Sequence, residues 1–383
     1  MTIRSVRGTI AMAFVCVGIC ACRMPAQSAS ASSHLGDWTA LRSVNPAPPL
    51  VGANVAAGSA VHPSVVDQRF ENRVLTNKAQ HTFTARGRDF DPDLHPDGST
   101  LLFASTRNST RPDIFLKRTE GYAITQLTSD PADDIQPRFS PDGENVVFSS
   151  NRSGNWDIWM IRADGTGLVQ LTSGPNDEIA PCFSPDGMYI AYTAWGGRSA
   201  QWEIWTLSIG NPGMRTFLAY GLFPDWSPVG ARIAFQRARQ RGSRWFSVWS
   251  VELVDGDARR PTEIAHSDLS ACVAPRFSPD GRAIVYCALT SATAPDGRQA
   301  VVAADVWTVD LKTGLRLKQT DGAAIAFNPV WGSNGRIYYV ASRGDAENIW
   351  SLASNRRDDL LGPTQDTAAV SRAVINRPVR IGN

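Results

Sequence analysis

Three acidic side chains are candidates for chemistry because they stand at one recurring position of the sequence. Asp89, Asp134 and Glu178 each lie three residues before a proline, at intervals of 45 and 44 residues. Carboxylate oxygens are the ligands that a hard cation such as Ca²⁺ prefers, and positioned carboxyl groups also perform acid/base catalysis. The alternative is that each acid caps the start of a strand through local backbone hydrogen bonds, and we favour this alternative. No other cofactor is predicted.

A basic segment is the second candidate site. It contains Arg237, Arg239, Arg241 and Arg244, with Trp245 beside them. Guanidinium groups next to an indole ring can bind an acidic protein, an anionic glycan or lipid headgroups, whereas the simpler interpretation is a solvated loop. Trp195 lies in the corresponding loop of the preceding repeat, and we expect both loops on one binding face.

Known catalytic motifs are missing from the sequence. It has no G-x-S-x-G elbow, H-E-x-x-H motif, phosphate loop or dinucleotide fingerprint, and its five histidines do not recur at equivalent positions. Cys272 and Cys287 flank a predicted turn near Asp280, so they can either form a disulfide across two antiparallel strands or serve as two small buried apolar side chains. No cysteine and histidine spacing fits a zinc site.

Composition restricts the class of protein. The chain has 383 residues with 38 basic and 36 acidic side chains, a formal charge of +2, which argues against nucleic-acid binding through a basic field. With 43% hydrophobic residues the chain is expected to fold rather than to be disordered. Its 12 Trp, 15 Phe and 7 Tyr favour strands over helical bundles.

The first 21 residues have the pattern of an export signal. Arg4 and Arg7 precede an uncharged apolar run that is too short for a comfortable membrane span. The segment ends in Ile19-Cys-Ala-Cys22, which resembles a bacterial lipobox with Cys22 as the acylated residue. An ordinary cleavage site at Ala29-Ser-Ala31 is the alternative. Arg23 is not an Asp retention signal, so we expect a lipoprotein on the periplasmic side, anchored in the outer membrane.

Residues 22–78 are predicted to form a flexible tether. The segment is rich in Ala, Ser and Pro, as in 28–33 and 46–49, and such composition is typical of a flexible linker. The tether would hold a lipid-anchored domain away from the bilayer.

A tight turn repeats six times along the rest of the chain. Its copies are Ser140-Pro-Asp-Gly143, Ser184-Pro-Asp-Gly187 and Ser278-Pro-Asp-Gly281, with weaker forms at His95–Gly98, Ser227–Gly230 and Gly332–Gly335. Proline presets the first corner, aspartate bonds its own backbone and glycine accepts a positive φ. Successive turns begin 43 to 45 residues apart among the first four copies and 51 and 54 residues apart after them, and the interval reaches 58 between Trp249 and Trp307, where the fifth repeat carries a long loop at 290–300.

Aromatic residues at fixed offsets from each turn predict three consecutive strands, and a fourth apolar run often follows, as at Leu168–Thr172. Four short strands per repeat of this length indicate a propeller blade. We therefore predict an all-β, six-bladed propeller over residues 79–353, with four antiparallel strands per blade and a tail at 354–383. In this arrangement we expect Asp89, Asp134 and Glu178 to lie at the mouth of the central channel and to make one half of it acidic. Because Gln80–Thr84 matches the end of the first repeat, it is predicted to supply the outer strand of blade six and to close the ring.

These repeats resemble those of the TolB-like propeller family, whose signature is D-x-x-P-x-F-S-P-D-G. The second repeat reads Asp134-Ile-Gln-Pro-Arg-Phe-Ser-Pro-Asp-Gly143, and the similarity covers roughly residues 80 to 353. The resemblance implies a periplasmic binding module, and we expect its partner to be an envelope protein or polysaccharide. From the missing catalytic motifs and the balanced charge we expect no catalysis and no nucleic-acid binding, and we expect the propeller to be monomeric. The chain departs from TolB in lacking room for an α/β domain before the propeller. The alternative function is an enzyme acting on a glycan or peptide in the central pocket.

Overall fold

Twenty-four strands and the turns between them make up the described structure. It is a computed structural model that describes residues 77–238, 246–293, 299–343 and 346–354. The predicted signal segment, almost all of the tether and almost all of the tail lie outside these residues. Within the described ranges no helix is long and apolar enough to cross a membrane.

The strands follow one another as antiparallel hairpins in groups of four, which we call blades one to six. Blade one consists of β2 (Gly87–Leu94), β3 (Thr100–Ser105), β4 (Asp113–Arg118) and β5 (Ile124–Gln126). Blade two consists of β6 (Asp134–Phe139), β7 (Asn145–Ser150), β8 (Asp157–Arg162) and β9 (Val169–Gln170). Blade three consists of β10 (Glu178–Phe183), β11 (Tyr189–Gly196), β12 (Gln201–Ser208) and β13 (Asn211–Tyr220). Blade four consists of β14 (Leu222–Trp226), β15 (Arg232–Ala238), β16 (Phe246–Val254) and β17 (Asp257–Ala265). Blade five consists of β18 (Ala271–Phe277), β19 (Ala283–Thr293), β20 (Gln299–Asp310) and β21 (Arg316–Lys318). Blade six consists of β22 (Ile325–Trp331), β23 (Arg336–Arg343) and β24 (Ala346–Ala353) with β1 (Ala79–Gln80).

The propeller class and the antiparallel four-stranded repeat are confirmed, but the blades are not six separate sheets. Blades two to five are four separate four-stranded sheets, whereas blades one and six share one eight-stranded sheet. A short parallel pairing causes this fusion, because Gly87 and Arg88 of β2 pair with Ala346 and Glu347 of β24. The first strands of neighbouring blades contact one another in a closed cycle, and they therefore surround a central axis.

The predicted closure by the N-terminal segment is confirmed. Strand β1 pairs antiparallel with β24, with Ala79 opposite Ser351 and Gln80 opposite Trp350. The contact continues beyond the strand, since the backbone N–H of His81 donates to the carbonyl of Ile349 at 2.8 Å. Blade six thus receives its fourth strand from the opposite end of the propeller chain.

The six predicted turns share one glycine conformation, and five of them have the same backbone hydrogen bond from that glycine to the first residue of the turn. Their glycines have φ between 66° and 82°, a region that other residues rarely adopt: Gly98, Gly143, Gly187, Gly230, Gly281 and Gly335. In the turn at Ser227–Gly230 the Ser227 hydroxyl accepts the Val229 N–H at 3.3 Å. At Gly143 the backbone N–H donates to the Ser140 carbonyl at 2.9 Å. The Asp142 carboxylate accepts the Ser140 hydroxyl and, at 3.0 Å, the Glu144 N–H, as expected for a turn-forming aspartate.

Apolar packing occurs between the faces of neighbouring blades. Phe183, Tyr192 and Leu207 of blade three, for example, pack against Val147 and Ile158 of blade two. Similar clusters join the other neighbouring blades, so each of the six blades is covered on both faces. A blade cannot bury its faces alone, and closure of the ring is therefore what completes the core.

The predicted disulfide between Cys272 and Cys287 does not form, and the alternative of two buried small side chains is the one observed. Cys272 pairs with Ala288, whereas Cys287 pairs with Val273, so the two cysteines are offset by one position. Adjacent positions of a strand point to opposite faces of the sheet. The Cys287 thiol accordingly reaches blade six, where it donates to the Ala326 carbonyl at 3.3 Å.

Candidate functional site

The three acids predicted at the channel mouth are buried instead of open to solvent. Asp89 and Asp134 are 0% exposed and Glu178 is 5% exposed. Arginines from the same blades bind them: Arg107 to Asp89 at 2.9 Å, Arg152 to Asp134 at 2.8 Å and Arg215 to Glu178 at 3.3 Å. The expectation of an acidic open mouth is therefore corrected, because each carboxylate is used within its own blade.

Asp89 shows what these acids do. Besides Arg107, its carboxylate accepts the hydroxyls of Ser105 at 2.6 Å and Thr84 at 2.8 Å. Ser105 lies at the end of the second strand, and Thr84 belongs to the segment that closes the ring. The acid thus joins three parts of the fold through side-chain hydrogen bonds, whereas the capping interpretation expected local backbone donors.

A ring of four charged side chains lies around the central axis. Asp93, Arg138, Asp225 and Arg276 come from the first strands of blades one, two, four and five, each directly after the proline of its repeat. Arg138 contacts Asp93 at 3.6 Å and Asp225 at 3.0 Å. Arg276 also contacts both acids, with its Nε 2.9 Å from Asp225 Oδ1. Charges therefore alternate around the axis and sum to zero.

Backbone hydrogen bonds hold the ring in place. Asp93 accepts the N–H of Phe139 at 2.9 Å, and Asp225 accepts the N–H of Phe277 at 2.7 Å. Burial raises the pKa of both carboxyl groups to about 6, and the charge of Arg138 opposes this rise. Each acid faces two guanidinium groups, which favour its ionised form. This arrangement satisfies the charges internally and fills the axis with the protein's own side chains.

A second set of polar side chains surrounds the axis nearer to the start of the same first strands. The residue before each recurring proline has a positive φ of 46° to 55°: Asp91, Gln136, Ala180, Phe223, Ala274 and Asn328. The Asp91 carboxylate accepts the Gln136 N–H at 3.2 Å and the Asn328 side-chain amide at 2.5 Å. It thereby joins blades one, two and six, and burial raises its pKa to about 6.

The loops between second and third strands define what we call the top face. The second and third strands have 6 residues each in blades one and two, 8 residues each in blades three and six, 7 and 9 in blade four, and 11 and 12 in blade five. Much of the loop predicted at 290–300 is therefore strand.

Trp195 occupies the predicted top-face position. It is 38% exposed and lies edge-on to the half-buried Trp202, with ring centroids 5.3 Å apart. Both indoles belong to the extended hairpin of blade three, so two large aromatic side chains are presented together. Side chains of this type dominate binding energy at protein interfaces.

The basic segment is only partly described. Arg237 lies in β15 with its guanidinium over the Trp249 ring at 5.5 Å, and it thus packs against its own blade. Arg239, Arg241, Arg244 and Trp245 lie outside the described residues, as does Cys22. Their assignment stays a prediction. Among the residues whose positions are described, no group of three or more His, Cys, Asp or Glu side chains is arranged to hold a metal ion.

The charge ring is the part of the axis that sequence reasoning missed. The signal was the residue after each recurring proline, which reads Asp93, Arg138, Cys182, Asp225, Arg276 and Val330 around the propeller. Two acids and two bases at one level of a closed ring are close enough to pair. The pattern becomes visible only after the six positions are placed around one axis.

Comparisons with known proteins agree with this architecture. Residues 70–243 match the TolB beta propeller domain family. TolB from Acinetobacter baumannii has a TM-score of 0.54 at 17% identity, over 68% of this chain and 65% of that one. A TolB-type protein from Agrobacterium tumefaciens has a TM-score of 0.51 at 21% identity, over 69% of this chain and 90% of that one.

Other similar proteins carry different activities on the same fold. A gluconolactonase from Xanthomonas campestris has a TM-score of 0.51 at 14% identity, over 72% of this chain and 88% of that one. The uncharacterized peptidase YuxL of Bacillus subtilis is 38% identical over 60 residues, which are 16% of this chain and 9% of that protein. The fold therefore does not fix an activity. Residues 70–243, which are less than half of the chain, match the TolB beta propeller domain family, and the solved TolB structures share the propeller fold of this chain.

Proposed function

We propose that this protein is a non-catalytic propeller of the bacterial cell envelope that binds an envelope protein through its top face. The observation that carries the proposal is the exposed Trp195, edge-on to Trp202, on the extended hairpin of blade three. A rigid scaffold presents this pair, so little conformational entropy is lost when a partner covers it. An envelope polysaccharide is a partner of a different class, and the experiment below separates the two.

A binding surface explains the axis better than a reaction pocket does. A propeller enzyme acting on a glycan or peptide in the central pocket needs carboxyl groups that a substrate can reach. Here Asp93 and Asp225 each face two arginines, and Asp89, Asp134 and Glu178 are buried against one arginine each. The side chains available to a ligand lie on the loops and not along the axis.

Export and anchoring complete the proposal. The protein is carried to the periplasmic side by residues 1–21 and is held at the outer membrane by acylated Cys22, and the following segment serves as a tether. Metabolic labelling with palmitate tests the anchor. Label is expected in the wild type and in Cys20→Ser, and no label in Cys22→Ser; label that persists in Cys22→Ser overturns the assignment of this residue.

The binding function is tested by capture of partners from solubilised envelopes. The wild-type chain is compared with Trp195→Ala/Trp202→Ala and with Tyr122→Ala. Tyr122 is the matched control, because it is an aromatic side chain, 83% exposed, between β4 and β5 at the opposite face. A protein partner is expected with the wild type and the control, and it should be lost with the double variant.

The other outcomes are equally informative. Equal capture by all three proteins would move the binding site away from Trp195 and Trp202. Capture that survives protease treatment of the envelopes but not glycan hydrolysis would identify a polysaccharide partner instead. Absence of any ligand with the wild type would overturn the binding function. Substitution of Arg237, Arg239, Arg241 and Arg244 by Ser tests the predicted contribution of the basic segment in the same assay.

A further inference from the structure

The first strand of blade two carries an acid that is bound by an arginine of the same blade. Asp134 lies opposite Ser150 of the second strand, and Arg152 follows two residues later. Arg152 Nη2 contacts the two Asp134 carboxylate oxygens at 3.0 Å and 2.8 Å, and its guanidinium lies over the Trp159 ring at 5.0 Å. Blade one has the same arrangement with these residues: Asp89, Ser105, Arg107 and Phe115. In both blades a carboxylate and a hydroxyl fill the space beside the guanidinium.

Blade six keeps the arginine of this arrangement but not the acid. Ala326 of its first strand lies opposite Ala341 of its second strand, at the positions where blades one and two have the acid and the serine. Arg343 follows Ala341 at the same interval of two residues, and its guanidinium lies over the Trp350 ring at 4.3 Å. Within the described part of the chain, no carboxylate forms an ion pair with Arg343, which is exposed. The cation is therefore held in the same place as in blades one and two, without its anion.

A cleft between blades five and six occupies the place of the missing groups. Its lining includes Ala326, Ala341, Arg343 and Trp350. The two alanines lack the carboxylate and the hydroxyl that the corresponding residues of blade two place beside the guanidinium. Because a guanidinium group matches a carboxylate in shape as well as in charge, the cleft offers a preformed position for the carboxylate of a ligand.

Further polar side chains line the same cleft. Tyr339 is 4% exposed, and its hydroxyl forms no hydrogen bond to another of the described residues. Burial raises the pKa of Tyr339 to about 12, so its hydroxyl keeps its proton at pH 7 and can act as a donor. Lys78 and Asp321 also line the cleft and form an ion pair at 2.7 Å, in which their charges cancel. The positive charge of Arg343 is thus left unbalanced within the cleft.

We propose that the cleft between blades five and six binds a ligand through a carboxylate group, which pairs with Arg343. The carboxylate of the ligand takes the place that the Asp134 carboxylate has in blade two, and Tyr339 is a further donor. Since the Trp350 ring already holds the guanidinium, little conformational entropy is lost when the ligand binds. A small carboxylic acid and a sugar acid present the same group, and the experiment below separates these two sources.

This inference goes beyond the proposed function, because it concerns the junction of blades five and six and not the hairpin that carries Trp195. The smallest ligand of this class is acetate, for which one charge-assisted pair supports a dissociation constant of about 1 mM. A larger acid whose hydroxyls also reach Tyr339 or Asp321 binds more tightly than acetate.

Saturation-transfer difference NMR with the full chain tests the proposal. The probes are acetate and glucuronate, with acetamide and glucose as their uncharged counterparts. Both acids are expected to bind the wild type, and the uncharged compounds are not. Arg343→Gln should raise the dissociation constant of both acids at least tenfold, whereas Arg282→Gln, which changes an exposed arginine between β18 and β19, should leave it unchanged. Tighter binding of glucuronate than of acetate identifies a sugar acid as the source, and equal binding identifies a small carboxylic acid.

Restoring the missing acid supplies an independent measurement. Ala326→Asp places a carboxylate of the protein where blade two has Asp134, and it is expected to prevent acetate from binding. Arg343→Gln should then lower the melting temperature in the Ala326→Asp background but not in the wild type, because only the restored blade contains the ion pair. Ala326→Asn has the same shape without the charge, so in that background Arg343→Gln should leave the melting temperature unchanged.

Three results would overturn the inference: no binding of either acid to the wild type, equal binding of acetate and acetamide, or equal binding of acetate by the wild type and Arg343→Gln. These tests do not depend on the folding of Ala326→Asp, because Arg343 is exposed and its substitution is tolerated by the core. Capture of the envelope protein is expected to survive Arg343→Gln, so the carboxylate site and the proposed top-face function fail separately.

Discussion

The four charges on the axis illustrate how much a single side chain can matter. Asp225 contacts both Arg138 and Arg276 and accepts the Phe277 N–H. If it is replaced by Asn, the two guanidinium groups lose one of the two carboxylates between them while the shape of the side chain is kept. We expect Asp225→Asn to lower the free energy of unfolding by about 1–3 kcal/mol, because two buried guanidinium groups then share the single carboxylate of Asp93.

Chemical denaturation measures this effect, and an exposed ion pair provides its control. Arg232 lies 3.1 Å from Glu252, and both are well exposed. Arg232→Gln should change the free energy of unfolding by less than about 1 kcal/mol. Similar losses in the two variants would mean that the ring contributes no more than a surface ion pair.

A buried acid pair makes stability depend on pH. Glu178 of blade three adjoins Asp157 of blade two, and Glu178 Oε2 and Asp157 Oδ1 are buried without a hydrogen-bond partner. Burial, with Asp157 as a further cause, raises the pKa of Glu178 to about 7 from an ordinary value of 4.5. Two adjacent carboxyl groups share a proton favourably and repel each other when both are ionised.

The sign of the pH dependence follows from this raised pKa. The folded state holds the proton more tightly than the unfolded chain does, so the stabilisation is complete below pH 4.5 and is lost as pH rises to about 7. The melting temperature should fall over this interval by several degrees. In Glu178→Gln, which keeps the neutral form at every pH, calorimetry should find a flatter profile. An equally steep profile in the variant would assign the dependence to Asp91, Asp93, Asp113 or Asp225, whose pKa values are also raised by burial.

The acids also show which property of a single residue the sequence did not predict. The interval between Asp89 and Asp134 revealed that they are equivalent, but the sequence alone did not decide whether they face solvent or a partner. The decisive residues were Arg107 and Arg152, each two positions after a serine at the end of a second strand. That recurrence was present in the sequence, yet its meaning depends on the hairpin bringing the guanidinium back to the first strand.

At the scale of elements, the closing segment behaves as an ordinary fourth strand. Thr82 accepts the Ile349 N–H of β24 at 2.9 Å. The threonines that follow the fourth strands of other blades do the same: Thr128 with Ile114 at 3.0 Å, Thr172 with Ile158 at 2.8 Å and Thr320 with Val306 at 3.0 Å. The segment therefore reproduces the fourth-strand bond of a blade encoded in one piece.

This equivalence predicts equal energetic roles. Thr82→Val keeps the shape of the side chain but leaves the Ile349 N–H unpaired, which should cost about 1–3 kcal/mol. Thr128→Val should cost a similar amount, although Thr128 lies within the continuous chain of blade one. Denaturant melts of the two variants check this. A much smaller loss for Thr82→Val would mean that the closing strand is weaker than an internal one.

Elements were the level at which the sequence was most informative. The turns Ser140–Gly143 and Ser184–Gly187, with aromatic residues at fixed offsets, placed strands and closure correctly because both depend on local signals. Register was less accessible. The offset of Cys272 and Cys287 arises from the β18 and β19 pairing, and the fusion of blades one and six arises from two residues at Gly87. Neither leaves a pattern in the sequence, because strand pairing is decided by packing as well as by turns.

The whole molecule shows an approximate twofold order that no single repeat contains. The level of the ring reads Asp93, Arg138 and Cys182 in blades one to three, and Asp225, Arg276 and Val330 in blades four to six. Asp93 and Asp225 even accept equivalent backbone N–H groups, from Phe139 and Phe277. Opposite halves of the propeller are therefore joined through the axis as well as around the ring. This arrangement favours unfolding of the whole propeller as one cooperative unit.

Three buried thiols can report on that cooperativity. Cys182 contacts Ile233 of blade four, and Cys272 and Cys287 lie on opposite faces of blade five. Burial raises the pKa of Cys182 to about 12 and that of Cys287 well above its usual range, so neither reacts while it is folded. If the ring opens only as a whole, peptide-resolved alkylation should label all three at one rate. Thr82→Val should accelerate all three by one common factor, about tenfold for each 1.4 kcal/mol lost. Faster labelling of Cys182 or Cys287 alone would show that blades open separately, and the joining of blades across the axis would then not govern stability.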